Sequence, residues 1–273
     1  MRVTRFDHAA IAVPDLDAAI VAYRELGFDV SAGGKHTGRG THNAIIRFGL
    51  DYLELLSIYD RDLAIEHGSG ELISFLERTG GGLIGFALAS DDLDSIAAAW
   101  TSGFAPLGKP EAMERVRPDG FRLSWRLLIP GGTPWLRPWP FLIQWETPDE
   151  ARVKRDAPGH HSNGASGVAG VTVTAGSVPA LLPLYVHDLG LEGESEHGGK
   201  AVLDVGTTRI RLIEHPSKPG QKQPRSGLHE IELRVSDLKA AADQTGGTPD
   251  GNGGLLIPPE RTIGARIVLV GAG

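Results

Sequence analysis

Apolar and polar residues alternate over residues 6–13, then recur every three to four places, and this change of period comes four times along the chain. In the first instance Ala9, Ile11 and Val13 fall on one face of a predicted strand, with His8, Ala10 and Ala12 on the other. Leu16, Ala19, Ile20 and Tyr23 follow at helical spacing, and Asp15 stands where a short carboxylate accepts the free N–H groups of a helix start. Gly27 ends the helix, because glycine adopts the left-handed stop at least cost. Strands are predicted over 28–31, 43–48 and 52–58, with the Gly-rich 31–43 as loop or hairpin turn. The unit is therefore strand, helix and three strands. After a short helix over 71–78 and a triple-glycine break, it restarts at 83–104, and 122–129 and 140–146 supply later strands. VAGVTVT, a helix around 178–189, AVLDVG and TRIRLIEH make a third unit; LHEIELRVSDLKAAADQ opens a fourth that ends in ARIVLVG. VPDL at 13–16, SDDL at 90–93 and VSDL at 235–238 are versions of one turn, which the third unit lacks. A repeat this long duplicates a whole supersecondary module. Residues 147–167 are polar and Gly/Ser-rich without periodicity, and read as a linker.

Composition narrows the partners. At 273 residues the chain suits one or two domains. A formal charge of −7 gives no basic surface for nucleic acid. With no cysteine there is no disulfide, thiolate ligand or Cys nucleophile, which fits a reducing compartment. The N-terminus shows no apolar signal region and no apolar run is long enough to span a bilayer, so a cytoplasmic protein without membrane contact is expected. The glycines around Lys35 lack phosphate-loop spacing, and no Gly-x-Ser-x-Gly nucleophile elbow is present.

His8, Val13-Pro14-Asp15-Leu16, Leu26-Gly27-Phe28, Gly40-Thr41-His42-Asn43 and Tyr52-Leu53-Glu54-Leu55 together resemble the vicinal oxygen chelate superfamily, closest to its glyoxalase-like group. The resemblance implies an α+β fold of four βαβββ modules paired into two cup-shaped half-barrel sheets. The expected boundaries are a glyoxalase-like domain over 1–146, the linker over 147–167 and a second, degenerate domain over 168–273. Pairing within the chain would need no dimer, and a monomer or a homodimer both remain open. It also implies a metal site on side chains lining the cup. His8 shares a face with Ala10 and Ala12, and Glu54 with Tyr52 and Leu56, so both point to one cavity. An imidazole and a carboxylate suit one divalent ion (Zn, Ni, Mn, Fe or Mg). The second module falters, because Gly85 stands where His8 does, and FLIQWE offers only Gln144 or Glu146 against Glu54. In the second half Glu230 replaces His8 and Arg211 replaces Glu54. Glu230, Glu232 and Arg234 are expected to face Arg209 and Arg211 with their opposed charges paired, in a cup without metal.

Other residues have ordinary explanations. Asp15, Asp92 and Asp237 read as helix caps, and His36, His42 and the His160-His161 pair as exposed loop side chains. Trp125 and Trp145 read as core, while Trp135 and Trp139 lie in a Pro/Gly insertion that can cover an apolar ligand. Two functions stay open. One is a binder of a small apolar or aromatic molecule in the N-terminal cup, its metal site reduced or lost, with Asn43, Tyr52, Trp135, Trp139 and Gln144 as binding residues. The other is a divalent-metal-dependent lyase, isomerase or dioxygenase acting through His8 and Glu54, with Glu54 or Glu146 moving a proton. A regulatory protein without catalysis is a third, duller option.

Overall fold

Strand β1 (Arg5–Ala12) is buried over all but its first residue because both of its faces are covered. The computed structural model describes residues 3–116, 120–215 and 225–272. The first module continues with α1 (Leu16–Glu25), β2 (Ser31–Lys35), β3 (Thr41–Arg47) and β4 (Tyr52–Ile58), then α2 (Arg61–Glu66) and α3 (Gly70–Thr79). The second comprises β5 (Gly82–Ala89), α4 (Leu93–Ala99), β6 (Glu111–Val116), β7 (Arg122–Leu128) and β8 (Phe141–Trp145), followed by α5 (Asp149–Arg155). The third has β9 (Ala165–Ala175), α6 (Val178–Pro183) running into a π-turn at Leu184–Asp188, β10 (Glu192–Glu196), β11 (Lys200–Val205) and β12 (Thr208–Glu214). The fourth has β13 (Gly227–Val235), α7 (Leu238–Thr245), β14 (Thr248–Pro249), β15 (Leu255–Leu256) and β16 (Ile267–Gly271).

Two eight-stranded sheets result, ordered β2-β3-β4-β1-β5-β8-β7-β6 and β10-β11-β12-β9-β13-β16-β15-β14. Each joins two modules of the same chain through their first strands, antiparallel, so the expected α+β pairing of four modules into two cups is what the molecule shows. Asp15, Asp92 and Asp237 each accept backbone N–H groups from the first turn of the following helix. The third module, without the Asp-Leu turn, uses Ser177, which accepts from Ala180 N. No helix among the described residues is long and apolar enough to cross a membrane.

Every first strand carries an irregularity at the same place, and β9 has a second across Ser166. Pairing slips by a residue between Phe6 and His8 on β1, across Ile84 on β5, across Ala169 on β9 and across His229 on β13. A bulge of this kind re-aims the residue it leaves unpaired. In β1 that residue is Asp7, whose carboxylate lies beside the His8 ring.

One apolar core serves both sheets. Ile11, Tyr23, Leu55 and Phe86 of the first half cluster with Val171, Leu212, Leu233 and Leu269 of the second. Polar ties cross the same seam: Tyr23 Oη donates to Thr262 O at 2.9 Å and Tyr185 Oη to Pro138 O at 2.8 Å. Two smaller clusters lie elsewhere on the first sheet. One gathers Ala10, Ala12, Leu56 and Ile84 with α3, and the other gathers Ala87, Ala89, Phe141 and Ile143 with Trp125 and Trp145.

Several details differ from expectation. Part of the Gly-rich 31–43 stretch is the edge strand β2, since backbone pairing to β3 asks nothing of its side chains. Residues 147–167 hold α5, whose Arg152 is 2% exposed. His161 is buried rather than solvated: its Nδ1 accepts from Asp29 N at 2.9 Å, its Nε2 lies 3.0 Å from Arg47 O, and its ring packs on Phe28 and Phe48.

Candidate functional site

The first sheet curls around a cavity of about 330 Å³. Its polar side comes from β1, β3 and β4 and holds His8, Asn43, Tyr52 and Glu54, with His36 from the turn after β2. Its apolar side comes from β7, β8 and the loop between them, with Trp125, Trp135, Phe141, Ile143 and Trp145. Arg39, Arg47, Arg115 and Arg152 also reach its wall, against the acids Glu54, Glu111 and Asp156.

Asp7 organises the polar side. Its Oδ1 lies 2.8 Å from His8 Nδ1, and its Oδ2 accepts from Arg5 at 2.8 Å and from Trp145 Nε1 at 2.9 Å. Burial pushes the Asp7 carboxyl up, but the His8 hydrogen bond and charge, with Arg5 and Arg152, outweigh it and hold the acid well below the usual carboxylate range. An ionised Asp7 keeps a proton on His8 Nδ1 and turns Nε2 to the cavity. The His8 ring is stacked on Tyr52, centroids 4.6 Å apart, and edge-on to Phe141 at 5.3 Å. Burial, then the charges of Asp7 and Glu54, push the Tyr52 hydroxyl far up, so it stays a neutral phenol.

Glu54 lies between two imidazoles. Its Oε1 accepts from Asn43 Nδ2 at 2.5 Å, and the same amide lies 3.2 Å from His36 Nε2. His36 Nδ1 in turn bonds Thr41 Oγ1 at 2.9 Å. Burial lowers the His36 pKa despite Glu54, with Arg115 and Arg39 adding to the effect, so His36 is neutral and free to accept from Asn43. Glu54 Oε2 faces His8 Nε2 at 3.7 Å. Among the described residues neither of these two atoms has a hydrogen-bond partner.

The second module offers nothing comparable. Ala10 pairs with Glu54 on β4, and Ala87, at the same distance from its Asp-Leu turn, pairs with Phe141 on β8. Phe141 therefore takes the position of Glu54, which neither Gln144 nor Glu146 reaches. Gln144 instead bonds Leu93 N and Asp91 O at the start of α4, and Glu146 is exposed beyond the end of β8. Gly85, which stands where His8 does in the first module and pairs with Ala10, carries the 129–140 loop. A Cβ there would lie 2.7 Å from Pro134 O and 3.3 Å from the Trp135 ring. Leu136 N donates to Ile84 O at 2.6 Å and takes φ +62°, a backbone state held only by such ties. Trp135 thus lines the cavity, whereas Trp139 does not: it packs on Gly131 and Phe104 and donates to Pro130 O.

These residues do not fit a metal held across two modules. Of the four facing positions two are His8 and Glu54, and the others are Gly85, covered by a loop, and Phe141. His36, the nearest further imidazole, has its Nε2 engaged by Asn43. Among the described residues no group of three or more His, Cys, Asp or Glu is arranged to hold an ion. The second cup has the same gap. Gly170 is the residue opposite Glu232, and the space a Cβ would take is filled by Glu232 and Arg211, themselves paired at 2.5 Å. Glu230 pairs with Arg266 at 2.5 Å. The expected partners of Arg209 and Arg234 differ, since Arg209 reaches Asp204 and Arg234 the carbonyls of Val168 and Thr207.

Sequence reasoning missed Asp7, His36, Phe141 and the four arginines. Only Asp7 carried a signal, as an acid next to the candidate histidine; regular alternation would set it on the face opposite His8, and a bulge is not written in periodicity.

No curated protein sequence matches the chain. Among solved structures, a hypothetical protein from Staphylococcus aureus superposes with a TM-score of 0.74 at 17% identity, over 98% of this chain and 99% of that one. A mutant of 4-hydroxymandelate synthase from Streptomyces coelicolor gives 0.59 at 17% identity, over 99% and 93%. A xylose isomerase-like TIM barrel/4-hydroxyphenylpyruvate dioxygenase fusion protein gives 0.53 at 15% identity, over all of this chain and 50% of that one. These likenesses are of fold. A family model described as a glyoxalase-like domain matches residues 6–189, more than half of the 273. The chain belongs to the glyoxalase-like domain family, within the vicinal oxygen chelate superfamily.

Proposed function

We propose that the N-terminal cup binds a small aromatic molecule without a metal ion. The observation that carries this reading is the filled ligand position: Trp135 and Pro134 lie on Gly85, and Phe141 stands where the second carboxylate would be. What remains is a cavity of about 330 Å³ with three tryptophans and a phenylalanine on one side, the size and lining of a small-ligand site. Aromatic walls favour a planar guest, since stacked or edge-on rings add about 0.5–1.5 kcal/mol beyond area burial. His8, Asn43, Tyr52 and Glu54 would orient it, and Trp135 would cover it.

Thermal unfolding in the presence of naphthalene or indole tests this. A concentration-dependent rise in Tm, with substoichiometric metal in protein purified without chelator, is expected. No shift with any aromatic compound would sink the reading. The approach of His8 Nε2 to Glu54 Oε2 favours a second reading, a divalent-metal enzyme using those two side chains. That reading expects stoichiometric metal that His8→Ala removes; metal content unchanged by the substitution would count against it.

A further inference from the structure

Two arginines from opposite ends of the first sheet meet at the cavity without a counter-charge. Arg39 lies in the turn between β2 and β3, and Arg115 on β6, the strand at the other end of the eight-strand order. The curl of the sheet brings them together. Arg39 Nη2 reaches the Met113 sulfur at 3.9 Å, and Met113 is two residues from Arg115 on the same face of β6. The other two arginines of the cavity are paired, Arg152 with Asp149 at 2.8 Å and Arg47 with Asp156 at 3.8 Å. Among the described residues neither Arg39 nor Arg115 has a carboxylate partner, and Arg115 Nε is buried without a hydrogen-bond acceptor. The remaining acids of the cavity are placed elsewhere. Glu54 lies between His8 and His36, and Glu111 is exposed on β6, about 13 Å along the strand from Arg115. Like charges brought together in a partly buried cleft cost energy that an anion between them offsets.

The aromatic wall sets what carries the anion. Trp125 on β7 lines the cavity and faces Met113 across the β6–β7 ladder, so Arg115 is its diagonal neighbour, about 7–8 Å away. A ring lying on Trp125 therefore presents a substituent to the guanidinium. The planar fork of an arginine matches the two oxygens of a carboxylate. Resting on the preceding reading of an aromatic binder, we infer that the ligand is an aromatic carboxylate, with its ring on the tryptophan wall and its acid group between Arg39 and Arg115.

The test compares naphthalene, 2-naphthoate and methyl 2-naphthoate by titration calorimetry on the full chain. 2-Naphthoate is expected to bind about tenfold tighter than its methyl ester, the factor a charge-assisted hydrogen bond supplies. Arg115→Gln and Arg39→Gln, each with its fold checked by circular dichroism, should remove most of that advantage. Arg122→Gln removes the same charge from an exposed pair with Glu114 and should leave 2-naphthoate binding unchanged. Equal affinity for the acid and its ester overturns the inference while leaving the aromatic site standing, because the two arginines then meet only solvent. An advantage that survives both cavity substitutions, or that Arg122→Gln reduces as much, also overturns it, since the acid is then held elsewhere or by net charge alone. If none of the three compounds binds, the aromatic reading itself fails and takes this inference with it.

Discussion

Asp7 is a carboxylate with no exposed surface, and three donors close on its two oxygens. Leaving such a charge uncompensated costs several kcal/mol, so the ion and its partners stand or fall together. Its folded pKa lies below the ordinary value of 3.8, and the stability it contributes is therefore fully present above that value and lost as pH falls through the folded one. Asp7→Asn should destabilise the protein by about 3 kcal/mol at neutral pH. Urea unfolding at pH 7, 5 and 3 should show the gap to the parent chain holding between 7 and 5 and narrowing below about 4. A gap that grows toward acid would contradict the assignment. At this scale His8 and Glu54 were legible, because alternation and parallel pairing with β4 put both on the concave face. His36 was not, because its place depends on how far an edge hairpin folds over the sheet.

At the scale of elements, short polar residues wrote the helix starts plainly. Asp237 accepts from Lys239 N and Ala240 N, and Asp237→Ala should cost about 1 kcal/mol in denaturant unfolding without altering any ligand binding in the first cup. A loss of naphthalene affinity in that variant would show that the two halves are coupled. The Asp-Leu turns also fixed the register that puts Gly85 where His8 sits in the first module, so the gap in the ligand set was visible in advance. What fills it was not. The 129–140 insertion shows no period, and its seat on β5 comes from one backbone bond and a missing side chain. The 147–167 stretch misled for a related reason: α5 is short, with basic and acidic residues around one buried position, Arg152, which stacks over Trp145 at 3.5 Å and bonds Asp149. Periodicity needs several buried positions to be detected, and this helix has one.

Across the whole molecule the two sheets share a core, and Tyr23, Asp188 and Asn163 tie backbone or side chains across the seam. Neither half keeps its apolar face covered alone, so a single cooperative transition is expected. All five tryptophans lie between residues 100 and 145. Tryptophan fluorescence thus reports the first half while far-ultraviolet circular dichroism reports both, and the two denaturation curves should coincide. Separate midpoints would show that the halves unfold independently. The loop seated on Gly85 has a further bearing on anyone who would redesign this cup. A histidine introduced at that position meets the Pro134 carbonyl before it can meet an ion. Building a metalloenzyme here means excising the loop and adding the ligand together, for the first change alone uncovers an oily wall and the second alone has nowhere to go.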